Sequence, residues 1–318
     1  MIEFSSAFGE RISGFLNYRI ARGFKLETYI RHFIKFDRWC QNKQPEQQEL
    51  TQELVHKWIN ASEDSASEIK HRVTAMRLFG RYLCAIGENA YILPEKYISC
   101  GSKFTPHIFT GAELTALFAA LDSLPPTETE PFLHEIAPIM FRLIYTCGLR
   151  PNEGRELLRE NVDLDTGKIL IAHTKSNKER FVVMSDDMAD LARSYERQRI
   201  IFGAGNPFFF PSAHGGALSA NTVYAALNKA WSNSKLDGKF PRSIRVYDLR
   251  HQFASACLNR WLDSGENLMA MLPFLRSYMG HQTLSQTAYY IHVLPESIIK
   301  CSAIDWDKFN EMFPEVAE

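Results

Sequence analysis

Residues 91–110 read YILPEKYISCGSKFTPHIFT. The stretch holds two prolines and a glycine, and its apolar residues keep neither a helical nor an alternating period. Such a lapse marks a connection between folded units. On its N-terminal side, Phe8–Arg22, Leu26–Cys40, Thr51–Ala61 and Ser67–Ile86 space their apolar residues at helical intervals. In the last of these, Ala75, Met76, Phe79, Leu83 and Ile86 share one face, while Lys70, Arg77 and Arg81 cluster opposite.

On the C-terminal side a new unit starts at once. Thr110 and Glu113 stand as T-x-x-E ahead of Leu114, Leu117 and Phe118, a capping-box pattern. A helix is predicted over about 131–147, with a short one after Pro151. Gly167–Ala172 and Arg180–Met184 read as β-runs joined by HTKSNKE into a hairpin. Helical spacing resumes over Asp186–Ile201, Ser219–Asn233, Asp248–Leu262, Glu266–Tyr278 and Ser285–Val293. The expected fold class is mostly α with a small antiparallel β-sheet (α+β). Its expected units are a helical domain (1–90), a linker (91–109), a larger domain (110–300) and a C-terminal tail helix (301–318). In that tail, Ile304, Trp306, Phe309, Met312 and Phe313 form an apolar stripe that packs on its own domain or is exchanged between protomers.

With 318 residues, 45% hydrophobic and 23% charged, the chain can bury a full core. A net charge of −1 offers no global attraction for a polyanion, but residues 1–105 carry 15 basic and 12 acidic side chains, so the first third receives one best. The six cysteines include no CxxC pair and are expected to be buried free thiols. With no leader pattern and no long apolar run, the expected location is cytoplasmic, with no membrane partner. There is no phosphate-binding glycine loop, HExxH, GxSxG or acidic cluster suited to Mg²⁺, so neither metal nor cofactor is expected.

What stands out is a dispersed cationic set: Arg150 in CGLRPNE, Lys175 in TKSNKERFVVM, Arg250 in YDLRHQFAS, and His281 followed by Tyr290 in MGHQTLSQTAYYIHV. Each alone has a plain structural interpretation as a salt-bridge partner, solvated charge or core residue. Together and in order they resemble the tyrosine recombinase (phage integrase) family over roughly residues 5–300. The layout is closest to the Xer and simple integrase type, with a helical core-binding domain ahead of a catalytic domain. The resemblance puts Arg150 and Arg250 at the two catalytic arginines, Glu153 at the acidic neighbour of the first, Lys175 at the hairpin lysine, His281 at the last histidine and Tyr290 at the nucleophile.

These residue types suit such chemistry independently. Attack of a phenol on a phosphodiester gathers negative charge on the non-bridging oxygens, which planar arginines can clamp. A flexible ammonium can protonate the departing 5′-oxygen, and His281 can hydrogen-bond a non-bridging oxygen. The bond energy is kept in a 3′-phosphotyrosyl link, so no ATP is needed. The resemblance thus implies a recombinase acting on paired sites in double-stranded DNA through a Holliday junction. It implies a tetramer on two sites, nucleoid association when bound, and accessory recombination proteins as further partners. A type IB topoisomerase-like enzyme and a non-catalytic DNA-binding regulator are the alternatives.

Two features depart from the family pattern. Tyr247 occupies the position usually held by histidine in H-x-x-R; a phenol is a poor base at neutral pH but can still donate a hydrogen bond to a phosphate oxygen, which keeps Tyr247 among the candidate catalytic residues. His251 is near, but one helical step turns it about 100° from Arg250, and it is expected to be packed and satisfied. Residues 260–275, RWLDSGENLMAMLPFL, are longer than the usual link and read as a surface elaboration. Tyr289 competes with Tyr290, since only one of two successive helical residues can face the arginines. Arg31, Lys35 and Arg38 join Lys70, Arg77 and Arg81 as candidate contacts to the DNA backbone.

Overall fold

The computed structural model describes residues 3–24, 27–61, 66–95, 97, 106–172, 179–234, 243–292 and 311–312. The chain divides into two compact units, with the boundary at residues 104 and 105.

In the first unit, α1 (Gly9–Ala21), α2 (Glu27–Lys43), α3 (Gln52–Asn60) and α4 (Ala66–Ala85) surround an aromatic core. The ring of Phe15 lies 5.3 Å from Phe33 and 5.7 Å from Phe79, distances at which rings contribute beyond the area they bury. The Oγ1 of Thr51 caps α3 by accepting from the Leu54 amide. The start of the predicted linker is folded into this unit. The Tyr91 amide donates to the Leu50 carbonyl, and Leu93 is buried in the core.

The second unit contains α5 (Gly111–Asp122), α6 (Leu133–Cys147), α7 (Pro151–Arg155), β1 (Lys168–Ile171), β2 (Arg180–Val183), α8 (Asp186–Phe202), α9 (Ala220–Asn233), α10 (Val246–Asp263), α11 (Leu268–Met279) and α12 (Ser285–His292). The strands pair antiparallel, from Lys168 opposite Val183 to Ile171 opposite Arg180. Alternation buries Ile169, Ile171 and Val182 and leaves Phe181 and Val183 exposed. The mostly helical fold with a small sheet matches the sequence expectation. The capping box also forms: the Thr110 hydroxyl accepts from the Glu113 amide, and the Glu113 carboxylate accepts from the Thr110 amide.

The apolar helix α6 is the central element and packs against α5, α8 and α10. A separate apolar cluster joins α10, α11 and α12 through Leu258, Leu268, Leu272, Leu275, Met279 and Tyr290. Residues 260–275 are therefore not a surface elaboration, because Leu268, Leu272 and Leu275 build the layer against which α12 rests. The cysteines divide. Cys40 and Cys147 are buried and Cys257 half-buried, but Cys84 is exposed, contrary to expectation. Of the tail, only Glu311 and Met312 are described; they are helical and exposed, and the rest of its stripe lies outside the described residues.

Candidate active site

Two left-handed glycines end the helices that frame the site. Gly148 (φ 62°) follows α6 and Gly280 (φ 65°) follows α11, and a Cβ on Gly148 would strike the Phe253 ring. After each, the chain turns back: the Leu149 amide donates to the Ile144 carbonyl, and the His281 amide to the Arg276 carbonyl. These turns leave carbonyls at the negative ends of two helices, and arginines occupy them. Arg250, wholly buried, donates to the Gly148 oxygen at 2.7 Å and the Met279 oxygen at 2.6 Å. Arg150 donates to the Gly280 oxygen at 2.6 Å.

Glu153, on the first turn of α7, lies between the guanidiniums. Its carboxylate accepts from the Arg150 amide at 2.8 Å and the Arg150 guanidinium at 2.7 Å. It also accepts a bidentate pair from Arg180 at 2.9 and 2.7 Å, with Arg250 3.8 Å away. Burial alone would raise its carboxyl, but the bonds from Arg180 and Arg150 outweigh burial and hold it at about 2. Arg180 was not singled out from sequence. It opens β2, and its Nε donates to the Tyr278 oxygen at 2.8 Å, so it ties the hairpin to the end of α11.

His281 sits at the same corner. An amine of Arg250 lies 3.0 Å from its Nε2, and the Thr287 hydroxyl 2.8 Å from its Nδ1. Arg250 can only donate, so Nε2 accepts, and the ring proton belongs on Nδ1 facing Thr287. Burial, followed by the charges of Arg250, Arg150 and Arg180, pushes this imidazole down to about 3, so it is neutral at pH 7.

Tyr290 is buried, with its ring 5.9 Å from His281 and 5.3 Å from His251. Burial pushes its phenol up to about 12, against the opposing charge of Arg250. Tyr289 is half-buried at the edge of the α10–α12 cluster. Tyr247 lies 5.1 Å, ring to ring, from His251. These groups line a cleft of about 420 Å³ that also includes Arg150, Gly280 and Gln286. His251 is not satisfied: its Nδ1 is buried without a hydrogen-bond partner among the described residues.

The structure thus brings together Arg150, Glu153, Tyr247, Arg250, His251, His281 and Tyr290. Lys175 lies outside the described residues. In the first unit, Lys35, Arg38 and Lys70 are exposed with no ion pair among the described residues. The other three basic candidates have partners: Arg31 pairs with Glu68, Arg81 with Glu95, and Arg77 donates to the carbonyls of Leu93, Pro94 and Glu95. Among the described residues there is no cluster of His, Cys, Asp or Glu that could hold a metal ion, and no helix is long and apolar enough to cross a membrane.

A helical unit carrying a buried tyrosine beside paired arginines and a histidine defines the class to which the comparisons lead. Residues 108–297 match the phage integrase family, and the chain belongs to that family. A putative integrase/recombinase y4rB of Sinorhizobium fredii is 28% identical over 92% of this chain and 94% of its own length. The tyrosine recombinase XerC of Pediococcus pentosaceus is 27% identical over 73% of each chain. Among solved structures, the XerH site-specific recombinase bound to a palindromic difH substrate shares the fold with a TM-score of 0.65 at 18% identity, over 89% of this chain and 80% of its own. A lambda integrase dimer bound to a COC′ core site has a TM-score of 0.61 at 16% identity, over 88% and 94% of the two chains.

Replacing Glu153 by Gln keeps the shape but removes the negative charge shared by Arg150 and Arg180. The expected cost is about 3 kcal/mol, the order found when one partner of a buried pair is lost. Because the carboxyl is lowered from 4.5 to about 2, its contribution is complete above 4.5 and is lost as pH falls through about 2. In urea denaturation, E153Q should be clearly less stable than wild type at pH 7, with the gap narrowing toward pH 2. Equal midpoints at pH 7 would contradict this role.

Proposed function

We propose a residue-level mechanism for this chain, which by family is a tyrosine-type site-specific DNA recombinase. Tyr290 attacks the scissile phosphodiester, forming an Oη–P bond as the P–O5′ bond breaks, and the 3′-phosphotyrosyl link is later resolved by a 5′-hydroxyl from the partner strand. The observation that carries this proposal is the burial of Tyr290 in the cleft shared by Arg150 and His281, against the buried Arg250. Net charge supports it. Around Glu153, the guanidiniums of Arg150, Arg180 and Arg250 against one carboxylate leave that cluster a net charge of +2, with both cleft histidines neutral at pH 7. That balances the extra negative charge gathered on a phosphodiester under attack.

Arg150 and Arg250 hold the non-bridging oxygens with the N–H groups that their carbonyl anchors leave over, including the buried Nε of Arg250, which has no hydrogen-bond partner among the described residues. His281, whose Nε2 accepts from Arg250 and whose ring proton faces Thr287, has no N–H left for a non-bridging oxygen, unlike the role expected from sequence, and acts by aligning Arg250. Lys175 protonates the departing 5′-oxygen. Lys35, Arg38 and Lys70 are the strongest candidates for phosphate contacts in the first unit, since Arg31, Arg77 and Arg81 would first have to leave their present partners. Four protomers act on two DNA sites through a Holliday junction, joined by the tail helix, with accessory proteins at some sites; the protein works in the cytoplasm, on the nucleoid. The similarity to integrases and XerC over most of the chain disfavours the topoisomerase alternative, and the intact set of cleft residues disfavours a decayed regulator.

A nicked suicide substrate should trap a covalent adduct on a denaturing gel. Tyr290→Phe should abolish the adduct yet keep DNA binding, while Tyr289→Phe should retain it. An adduct that survives in the first variant and vanishes in the second would move the nucleophile to Tyr289.

Lys175→Ala should be strongly impaired on ordinary DNA and partly rescued by a 5′-bridging phosphorothiolate, whose sulfur leaves without a proton. Equal impairment on both substrates would make Lys175 a positioning residue.

A further inference from the structure

We propose that His251 accepts the phenolic proton of Tyr290 as the Oη–P bond forms, and returns it when the link is resolved. This rests on Tyr290 being the nucleophile. Tyr247 carries a phenol at the position where the family pattern has histidine, and a phenol is a poor proton acceptor beside an imidazole.

Geometry carries the inference. His251 follows Arg250 on α10, and its ring lies 5.3 Å from that of Tyr290 in the same cleft. Rings at that separation are neighbours, and the transfer proposed is from the phenolic oxygen to an imidazole nitrogen, directly or through one water. The other bases near the cleft are committed. The Nε2 lone pair of His281 is taken by Arg250, and its other nitrogen faces Thr287. Glu153 is spent on Arg150 and Arg180. His251 makes no hydrogen bond among the described residues, and its buried Nδ1 is without a partner, a costly condition that a functional group can justify.

The charges around it set the protonation. Among the described residues, Arg245 and Arg250 of the α10 start, Tyr247 one turn earlier, Tyr289 and Tyr290 of α12, His281, Arg150 and, behind them, Glu153 and Arg180 are the titratable or charged groups around the cleft. Burial, then Arg245 and Arg250, push this imidazole down to about 4, so at pH 7 its lone pair is available. A phosphate entering among the arginines offsets their charge and raises its proton affinity when a proton must be taken. The step balances: Tyr290 loses a proton to His251 while the 5′-oxygen gains one from the acid, and no oxidant or metal takes part.

The test is single-turnover adduct formation by the full chain on a nicked suicide substrate across pH. His251→Gln should bind this DNA like wild type but form adduct about 10²- to 10⁴-fold more slowly. Tyr247→Phe should stay within about tenfold of wild type, the factor for one hydrogen bond. A fluorinated, more acidic tyrosine at position 290 should narrow the His251→Gln defect, a rescue that a merely structural role would not give. The wild-type rate should fall with acidity through a pKa between about 4 and the ordinary 6.5, and this profile needs no variant to fold. A flat wild-type profile through that range, an unimpaired His251→Gln, or a defect that fluorination leaves unchanged overturns the proposal alone. A wild-type chain that forms no adduct through Tyr290 overturns the recombinase mechanism as well.

Discussion

The site depends on arginine side chains closing the ends of helices. The α6 and α11 helices each stop at a left-handed glycine, and their last carbonyls point into what would otherwise be an unsatisfied, electronegative corner. Arg250 spans both ends, taking the Gly148 oxygen with one amine and the Met279 oxygen with the other. A guanidinium is suited to this because its five donors lie in a fixed plane. A lysine, with all its donors on one nitrogen, could not span the two carbonyls with separate amines in this way.

That constraint propagates. With Arg250 fixed, His281 is fixed in position and tautomer; with Arg150 fixed on Gly280, Glu153 is aligned to receive Arg180 from the hairpin. The residue that follows Arg250 then falls beside Tyr290, so an imidazole expected to be satisfied lines the cleft with a buried Nδ1 that has no partner among the described residues. The positive charges are held apart from one another by a single carboxylate and by helix ends, so the cluster is organised before any phosphate arrives. Preorganisation of this kind leaves little reorganisation to be done as charge develops.

Much of this was legible in the sequence, for identifiable reasons. Helices with strong apolar periodicity, such as 27–43 and 52–60, announce themselves, as does the T-x-x-E start at Thr110, because the signals are local. The ordered cationic boxes pointed to Arg150, Arg250, His281 and Tyr290. What the sequence hid was tertiary. Arg180 reads as one more charge beside a hairpin, since its partners Glu153 and Tyr278 are distant in the chain. Arg77 reads as part of a free basic face, although it binds carbonyls of the returning segment 93–95. The helical angle between Arg250 and His251 is all that the sequence offers for His251, and that angle carries no information about α12 packing against α10.

The central claim is that the arginine cluster exists to neutralise charge at the attacked phosphorus. It is tested most directly by replacing one non-bridging oxygen of the scissile phosphate with a methyl group, which removes that charge. Arg150→Ala should be nearly inactive on ordinary DNA, yet form the Tyr290 adduct on the methylphosphonate substrate at a rate approaching that of wild type. If Arg150→Ala binds the neutral substrate but is as inactive on it as on the charged one, the arginines serve the architecture of the cleft and not the charge of the reaction.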